Sequence, residues 1–360
     1  MKFVRLKAIT LLVLIFLTSP GLMQAKATEA THPENQEIEV DAIINHHISD
    51  SHKWVIFSYP DKEEHLKEIA IHLPIILFHQ GSFLFSCSSQ FEHEKIVEKD
   101  GVHYVMHHDK IFVTDSAGSI SKDAEGNITN LKPLDLSITR NVASMFLSVA
   151  LLLWLFISIA KKYHKREKPA GMQSAMEAII IFVNKDIVES QIGKNGARYA
   201  PFLLTLFFFI WLNNLIGLFP LFPGSSNLSG NIAFTGILAL FTFIVTTFSG
   251  NKSYWRHIFV VPGVPAVLKI ILVPIEIISM FTKPFTLLIR LFANVTGGHI
   301  ILISLISIIF IAKSYVMAPI SILLSLLIFM LELIFGLLQA YIFTLLSALY
   351  IGLATHEEEH

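Results

Sequence analysis

Four charged residues recur every seven positions in a segment that is otherwise almost wholly apolar: Lys269, Glu276, Lys283 and Arg290. On a continuous helix that interval places them on one face. Asn294 stands one turn beyond the arginine, and His299 lies nine residues beyond it, about 13 Å further along a helix. A second apolar segment carries Glu332 and Gln339, again seven apart, with Phe343 one turn on. Gly297, Gly298, Gly336 and Ala340 are small enough to let helices approach closely. A guanidinium keeps its proton at any physiological pH, and at the centre of a bilayer it is costly. Arg290 therefore requires an acidic partner, a water-filled cavity, or both. Glu276 and Glu332 could be fixed partners within the chain; otherwise the partner arrives from another subunit. His299 and Glu332 pair a group titrating near neutrality with a carboxylate, on neighbouring helices in antiparallel order. That chemistry suits a proton relay, or a hydrogen-bonded pair that locks two helices together.

The elements that must hold these groups are membrane helices. Of 360 residues, 53% are apolar and only 15% charged, with mean hydropathy +0.60, where a soluble globular chain is about 25% charged. The net charge of −1 conceals an uneven distribution. From Tyr199 to Ala354 the only charged side chains are the four above, Glu332, Lys252, Arg256 and Lys313. A single cysteine, Cys87, excludes an intramolecular disulfide framework and any cysteine-based zinc or iron–sulfur site. No basic patch points to nucleic acid and no Gly-rich phosphate loop to direct nucleotide binding. No metal or cofactor is expected.

The composition predicts an all-α polytopic membrane protein with about five membrane helices, one cytoplasmic amphipathic helix and a small β-rich extracytoplasmic region. The spans fall at about 141–160, 199–219, 232–249, 264–312 and 320–354. After the first come Lys161, Lys162, His164, Lys165, Arg166 and Lys168, a cluster that the positive-inside rule places in the cytoplasm. Apolar residues at helical spacing over 171–194, with Glu177, Lys185, Asp186 and Glu189 among them, predict an amphipathic helix on that surface. Lys252, Arg256 and His257 mark the inner side again, whereas 221–231 carries no Lys or Arg. The C-terminus is then cytoplasmic. The last two segments are too long for ordinary spans. Forty-nine helical residues run about 70 Å against a hydrocarbon core of about 30 Å. These helices either break, at Pro274 and Pro284, or form a long, strongly tilted hairpin. A tilted pair offers long faces to another membrane partner.

Residues 1–25 read as a signal peptide: basic Lys2, Arg5 and Lys7, the apolar run Ile9–Leu17, and a break ending in small residues. The alternative is an uncleaved anchor, and either one directs residues 26–138 outward. That region opens with an acidic stretch from Glu29 to Asp41. Alternating runs Trp54–Tyr59, Ile69–Phe78, Val102–Met106 and Lys110–Val113 then predict hairpins. Eleven histidines precede Arg140, among them His46, His47, His103, His107 and His108. Their spacing matches no ligand pattern, so they are expected to be scattered surface groups rather than a metal site.

The stretch Lys283-Pro-Phe-Thr-Leu-Leu-Ile-Arg-Leu-Phe-Ala-Asn-Val-Thr-Gly-Gly-His299 resembles the signature of subunit a of the F-type ATP synthase, bacterial type, here with an extended N-terminal region. Asn214-Leu-Ile-Gly-Leu-Phe-Pro220 and Gln339-Ala-Tyr-Ile-Phe343 agree in order, and the resemblance covers roughly residues 140–354. It implies a non-catalytic stator subunit of the proton channel in the bacterial inner membrane. The implied partners are the c-ring and the subunit b peripheral stalk. Arg290 matches the arginine that faces the carboxylate of each passing c subunit, with Asn294 and Gln339 beside it. Glu276 matches a carboxylate of the cytoplasmic exit path. His299 and Glu332 match the access path from outside, where some members carry acid and histidine exchanged. Gly217 stands where some members have an aspartate, so that carboxylate's role does not transfer.

Two other classes compete. A stand-alone cation/proton antiporter would use Arg290, Glu276 and Glu332 at a midplane site, but no internal repeat relates 141–249 to 264–354. A membrane-anchored binding protein would leave the polar residues of the last two helices unexplained.

Overall fold

A computed structural model describes residues 50–60, 66–123, 128–163, 171–219, 226–260, 264–312 and 317–356. The expected signal peptide at 1–25, the acidic stretch from Glu29 to Asp41, His46 and His47, and the basic residues His164, Lys165, Arg166 and Lys168 lie outside them.

The first part is built of short antiparallel strands. β1 (Lys53–Pro60) pairs with β2 (Leu66–His72). β3 (Pro74–His79) pairs with β4 (Ser82–Cys87) on one side and with β8 (Leu134–Asp135) on the other. β5 (Val97–Lys99), β6 (Val102–His107) and β7 (Lys110–Thr114) form a meander. Three of the connections are two-residue turns with positive φ at both positions: Gln80-Gly81, Asp100-Gly101 and His108-Asp109. That geometry matches the right-handed twist of the flanking strands. Alternation puts Ile75 and Leu77 inward, where they pack with Leu84, Phe91, Tyr104 and Ile111. The run from Ile69 to Phe78 is two strands, not one. Leu73 is buried between them, and Pro74 opens the next strand, a position where its missing N–H costs no ladder bond. His52 corrects the surface assignment of the histidines. It is 3% exposed and bonded through Nε2 to Asp135, 2.9 Å away. Among the described residues no group of three or more His, Cys, Asp or Glu is placed to hold a metal.

The second part is helical: α1 (Arg140–Tyr163), α2 (Met172–Phe182), α3 (Ala200–Leu218), α4 (Ile232–Ser249), α5 (Lys252–Val260), α6 (Ala266–Ala312) and α7 (Met317–Thr355). Among the described residues five of these, α1, α3, α4, α6 and α7, are long and apolar enough to cross a membrane. Pro201 opens α3, where its lost N–H has no helical partner to miss. Asn231 and Asn251 accept from the backbone N–H of Ala233 and Tyr254 and so cap α4 and α5. α7 packs along α6 and α3, α4 packs on α6, and α1 rests on α3. Their shared core includes Leu203, Phe207, Ile210, Leu287, Leu291, Phe343 and Ile351.

α6 does not break at its prolines. It runs 47 residues with Pro274 and Pro284 inside it, and α7 runs 39, or about 70 and 58 Å. Beside Pro284 the hydroxyls of Thr282 and Thr286 donate to the carbonyls of Ile278 and Thr282, each one turn back. Such local bonds are how a membrane helix carries a proline.

The 171–194 segment is not a single α-helix. α2 ends at Phe182, and Val183–Glu189 continues as wider π-helical turns before the short Ser190–Ile192. The wider turn brings Val183, Ile187 and Val188 inward together, all essentially inaccessible.

Candidate functional site

Because α6 is continuous, Glu276, Lys283 and Arg290 follow one face, drifting about 20° per heptad. Glu276 and Lys283 are half-buried, whereas Arg290 and Asn294 are exposed. Around Arg290 the surface is apolar, with Phe285 60% and Ile289 38% exposed. Among the described residues Arg290 makes no ion pair, so neither Glu276 nor Glu332 is its fixed partner. Its electrostatic neighbour is Tyr350 of α7, whose ring also lies 5.8 Å from Lys283 Nζ.

On one side of Arg290 along α6 lies Glu276, fourteen residues back, or about 21 Å. Glu276 acts on Tyr254 of α5, whose hydroxyl pKa is pushed up by burial first and by that carboxylate second. Between them and the arginine lies a small cavity of about 10 Å³ with a mostly apolar wall, lined by Thr242, Phe243, Thr246, Tyr254, Met280, Lys283, Pro284 and Tyr350. That is room for about one water molecule.

On the other side a column of polar groups, most of them buried, crosses five segments. Asn294 Nδ2 donates to Gln339 Oε1 at 3.0 Å, tying α6 to α7. The Glu332 carboxylate rests on Gly298, where a Cβ would collide with it. The next residue, His299, has its Nε2 4.0 Å from where a Cβ on Gly217 would stand. Asn214 of α3 donates to the Gly336 carbonyl at 3.0 Å and accepts from Ser229 Oγ at 2.7 Å. A Cβ on Gly336 would come within 3.2 Å of Asn214, so a small residue is needed for that bond. The Ser226 carbonyl abuts Gly217, and its hydroxyl donates to Asn141 Oδ1 of α1 at 2.7 Å. Asn141, Asn214, Ser226, Ser229, Glu332 and Gln339 are each at least nine-tenths buried. Glu332 Oε2 and Gln339 Nε2 have no hydrogen-bond partner among the described residues. A buried polar atom is costly without one, so these two are groups that water or a moving proton can serve.

The packing thus brings Asn294, His299, Glu332, Gln339, Gly298 and Gly336 together and leaves Glu276 at the opposite end. Gly297 is a correction. A Cβ there would meet nothing within 4 Å, so it mediates no close approach within this chain. Asn141, Ser226, Ser229 and Tyr350 are not among the residues singled out from spacing. Asn214 opens a motif already legible in the sequence, although its bonds were not; the serines sit in a connection with no periodic signal.

Residues 142–352 match the ATP synthase A chain family model. The chain belongs to that family. Among curated relatives, the ATP synthase subunit a of Chloroherpeton thalassium is 45% identical over 232 residues, covering 63% of this chain and 69% of its own length. The subunit a 2 of Chlorobaculum tepidum is 42% identical over 279 residues, 74% of this chain and 76% of that one. The subunit a of Myxococcus xanthus is 37% identical over 238 residues, 63% and 77% respectively. Residues 43–136 match a separate domain of unknown function. As an A chain family member with five membrane-competent helices, the protein is a multi-pass membrane subunit of the Fo proton channel. The stand-alone antiporter reading finds no support.

Proposed function

We propose that Arg290 is the stator charge that meets the c-ring carboxylates, and that the polar column on one side of it and the Glu276–Tyr254 region on the other are half-channels. The observation that carries this reading is an exposed guanidinium, with no ion pair among the described residues, flanked by the exposed apolar side chains of Phe285 and Ile289 on α6. In a bilayer such a charge needs a counter-charge from a partner, access to water, or both. A c-ring carboxylate must be neutral while it faces lipid and can ionise only where water and Arg290 are offered. The column from Asn141 to His299, Glu332, Asn294 and Gln339 delivers protons from outside. Glu276 and the narrow cavity beside Tyr254 release them to the cytoplasm. Arg290 separates the two routes electrostatically, since a proton moving directly between them meets a fixed positive charge. Each proton crossing 100 mV supplies about 2.3 kcal/mol, which rotation of the ring passes to the catalytic head. This chain performs no chemical step itself.

The orientation rests on which ends meet. Asn251 N donates to the Ala354 carbonyl at 3.0 Å, so the turn after α4 and the end of α7 share one side. Lys161, Lys162, Lys252 and Arg256 give that side the positive charge of the cytoplasm. Asn141 and Ser226 meet on the other side, which supports an outside location for the β domain. The lengths of α6 and α7 require them to lie steeply inclined, presenting a face to the ring. In this reading α2 and the π-helical turns after it lie along the cytoplasmic surface, available to subunit b. Arg290→Ala is expected to abolish ATP-driven proton pumping in inverted membrane vesicles while the complex still assembles. Vesicles of that variant that acidify at the normal rate would sink the reading.

A further inference from the structure

The β domain is locked onto the start of α1 by a three-residue strip. Asp50 Oδ2 accepts from Thr139 Oγ1 at 2.8 Å, and its Oδ1 accepts from the Asn141 N–H at 3.0 Å. Arg140 N donates to the Ser51 carbonyl at 2.8 Å, and Ser51 Oγ donates to Asp109 Oδ1 at 3.0 Å. Arg140 itself is only 8% exposed, and the carboxylates whose charges act on it are Asp50 and Asp109. Its chain neighbour Asn141 is the outermost rung of the polar column, joined through Ser226 to Gly217 and His299. A permanent cation therefore stands one residue from the mouth of that column.

An uncompensated guanidinium at the mouth would repel the ion that has to enter, just as Arg290 is meant to do further in. We propose that the β domain is the electrostatic collar of the access path: Asp50 and Asp109 together more than offset the charge of Arg140, so that protons can enter at Asn141 and Ser226. The arginine anchors the domain on α1, and the domain cancels the arginine's field. This gives residues 50–138 a role in proton entry, and it rests on reading the column as the access path.

The test uses vesicles carrying the whole complex, with assembly checked on native gels. Proton conduction is measured after removal of the catalytic head, under a potassium diffusion potential. Asp50→Asn and Asp109→Asn are each expected to lower conduction about fivefold, the factor that loss of one negative charge about 10 Å away produces at an effective dielectric near 30. Adding Arg140→Gln to either variant should restore most of it. The cap on the Asn141 N–H comes from Asp50, so Asp109→Asn separates loss of charge from loss of that cap. Unchanged conduction in both single variants overturns the proposal. So does a loss that Arg140→Gln fails to rescue, since a purely structural contact would be weakened further by the second change. Arg290→Ala, assayed for ATP-driven pumping in vesicles that keep the catalytic head, keeps the two readings apart. If it still pumps, the half-channel assignment fails; if it does not pump while Asp50→Asn and Asp109→Asn conduct normally, only the collar fails.

Discussion

Gly298 is the position where one added methyl should interfere with proton transfer while leaving the fold in place. An ideal Cβ there would stand 2.9 Å from Glu332 Cδ and 3.0 Å from its Cγ, where carbon atoms prefer about 3.5–4.0 Å. In Gly298→Ala the carboxyl group must therefore retreat by about 1 Å. The obstructing atoms are the far end of a flexible side chain, so the helices stay packed and the carboxylate moves. Proton transfer needs heavy atoms within about 2.6–3.2 Å of each other, or one bridging water. A 1 Å displacement takes a well-placed group out of that range and can cost about a hundredfold in rate, or about tenfold if water bridges the gap. ATP-driven acidification of inverted vesicles, normalised to assembled complex, is the assay, and a ten- to hundredfold fall is the expectation. The second arm is Gly298→Ala with Glu332→Asp. Shortening the side chain by one bond, about 1.5 Å, makes room for the methyl and should recover part of the loss. Normal pumping by Gly298→Ala, or no recovery in the double variant, would refute the claim that the Glu332 carboxylate works from its seat on Gly298.

Exchanging His299 and Glu332 should retain more pumping than replacing either singly by Ala; equal loss in all three contradicts a relay. Asn214→Leu keeps the volume but removes the bonds to the Gly336 carbonyl and Ser229. Two buried bonds within a membrane bundle are worth about 1–3 kcal/mol together, so the solubilised complex should inactivate at lower temperature, and an unchanged midpoint would remove Asn214 from the helix packing. In the β domain, burial pushes the Asp135 carboxyl pKa up, but hydrogen bonds from His52 and Ser137 outweigh it and hold it below the ordinary carboxylate value. A lowered carboxyl pKa stabilises the fold above the ordinary value, and that contribution fades as pH falls through the lowered one. Asp135→Asn should cost about 1 kcal/mol near neutrality, given the carboxylate's partial exposure, and nothing in strong acid. Fluorescence-monitored melting, using buried Trp54, would report it, and a pH-independent difference would contradict the assignment.

Much of the membrane part is legible along the chain, because partition into a bilayer depends on local composition. An apolar run long enough to span announces itself without reference to what it packs against, and so does a charge stranded inside it. That is why Arg290, Glu276 and Glu332 can be singled out from spacing. The alternating strands are visible for the same reason, although the break at Leu73 and Pro74 is not, since it depends on which partner each half pairs with. His52 misleads because a buried histidine and a surface one look alike until Asp135, 83 residues away, is placed beside it.

The residues by themselves determined the class, the family signature and the arginine that function centres on. Only the tertiary structure decided that Pro274 and Pro284 leave α6 intact, that Gly298 rather than Gly297 seats a carboxylate, and that Arg290 has no fixed partner among the described residues. It alone assembled the column from Asn141, Asn214, Ser226, Ser229, Glu332 and Gln339. Those side chains come from α1, α3, α7 and the connection into α4, and no periodicity relates them. What joins them is the cost of burying a polar atom without a partner, which acts across space and leaves no mark at fixed spacing in the chain.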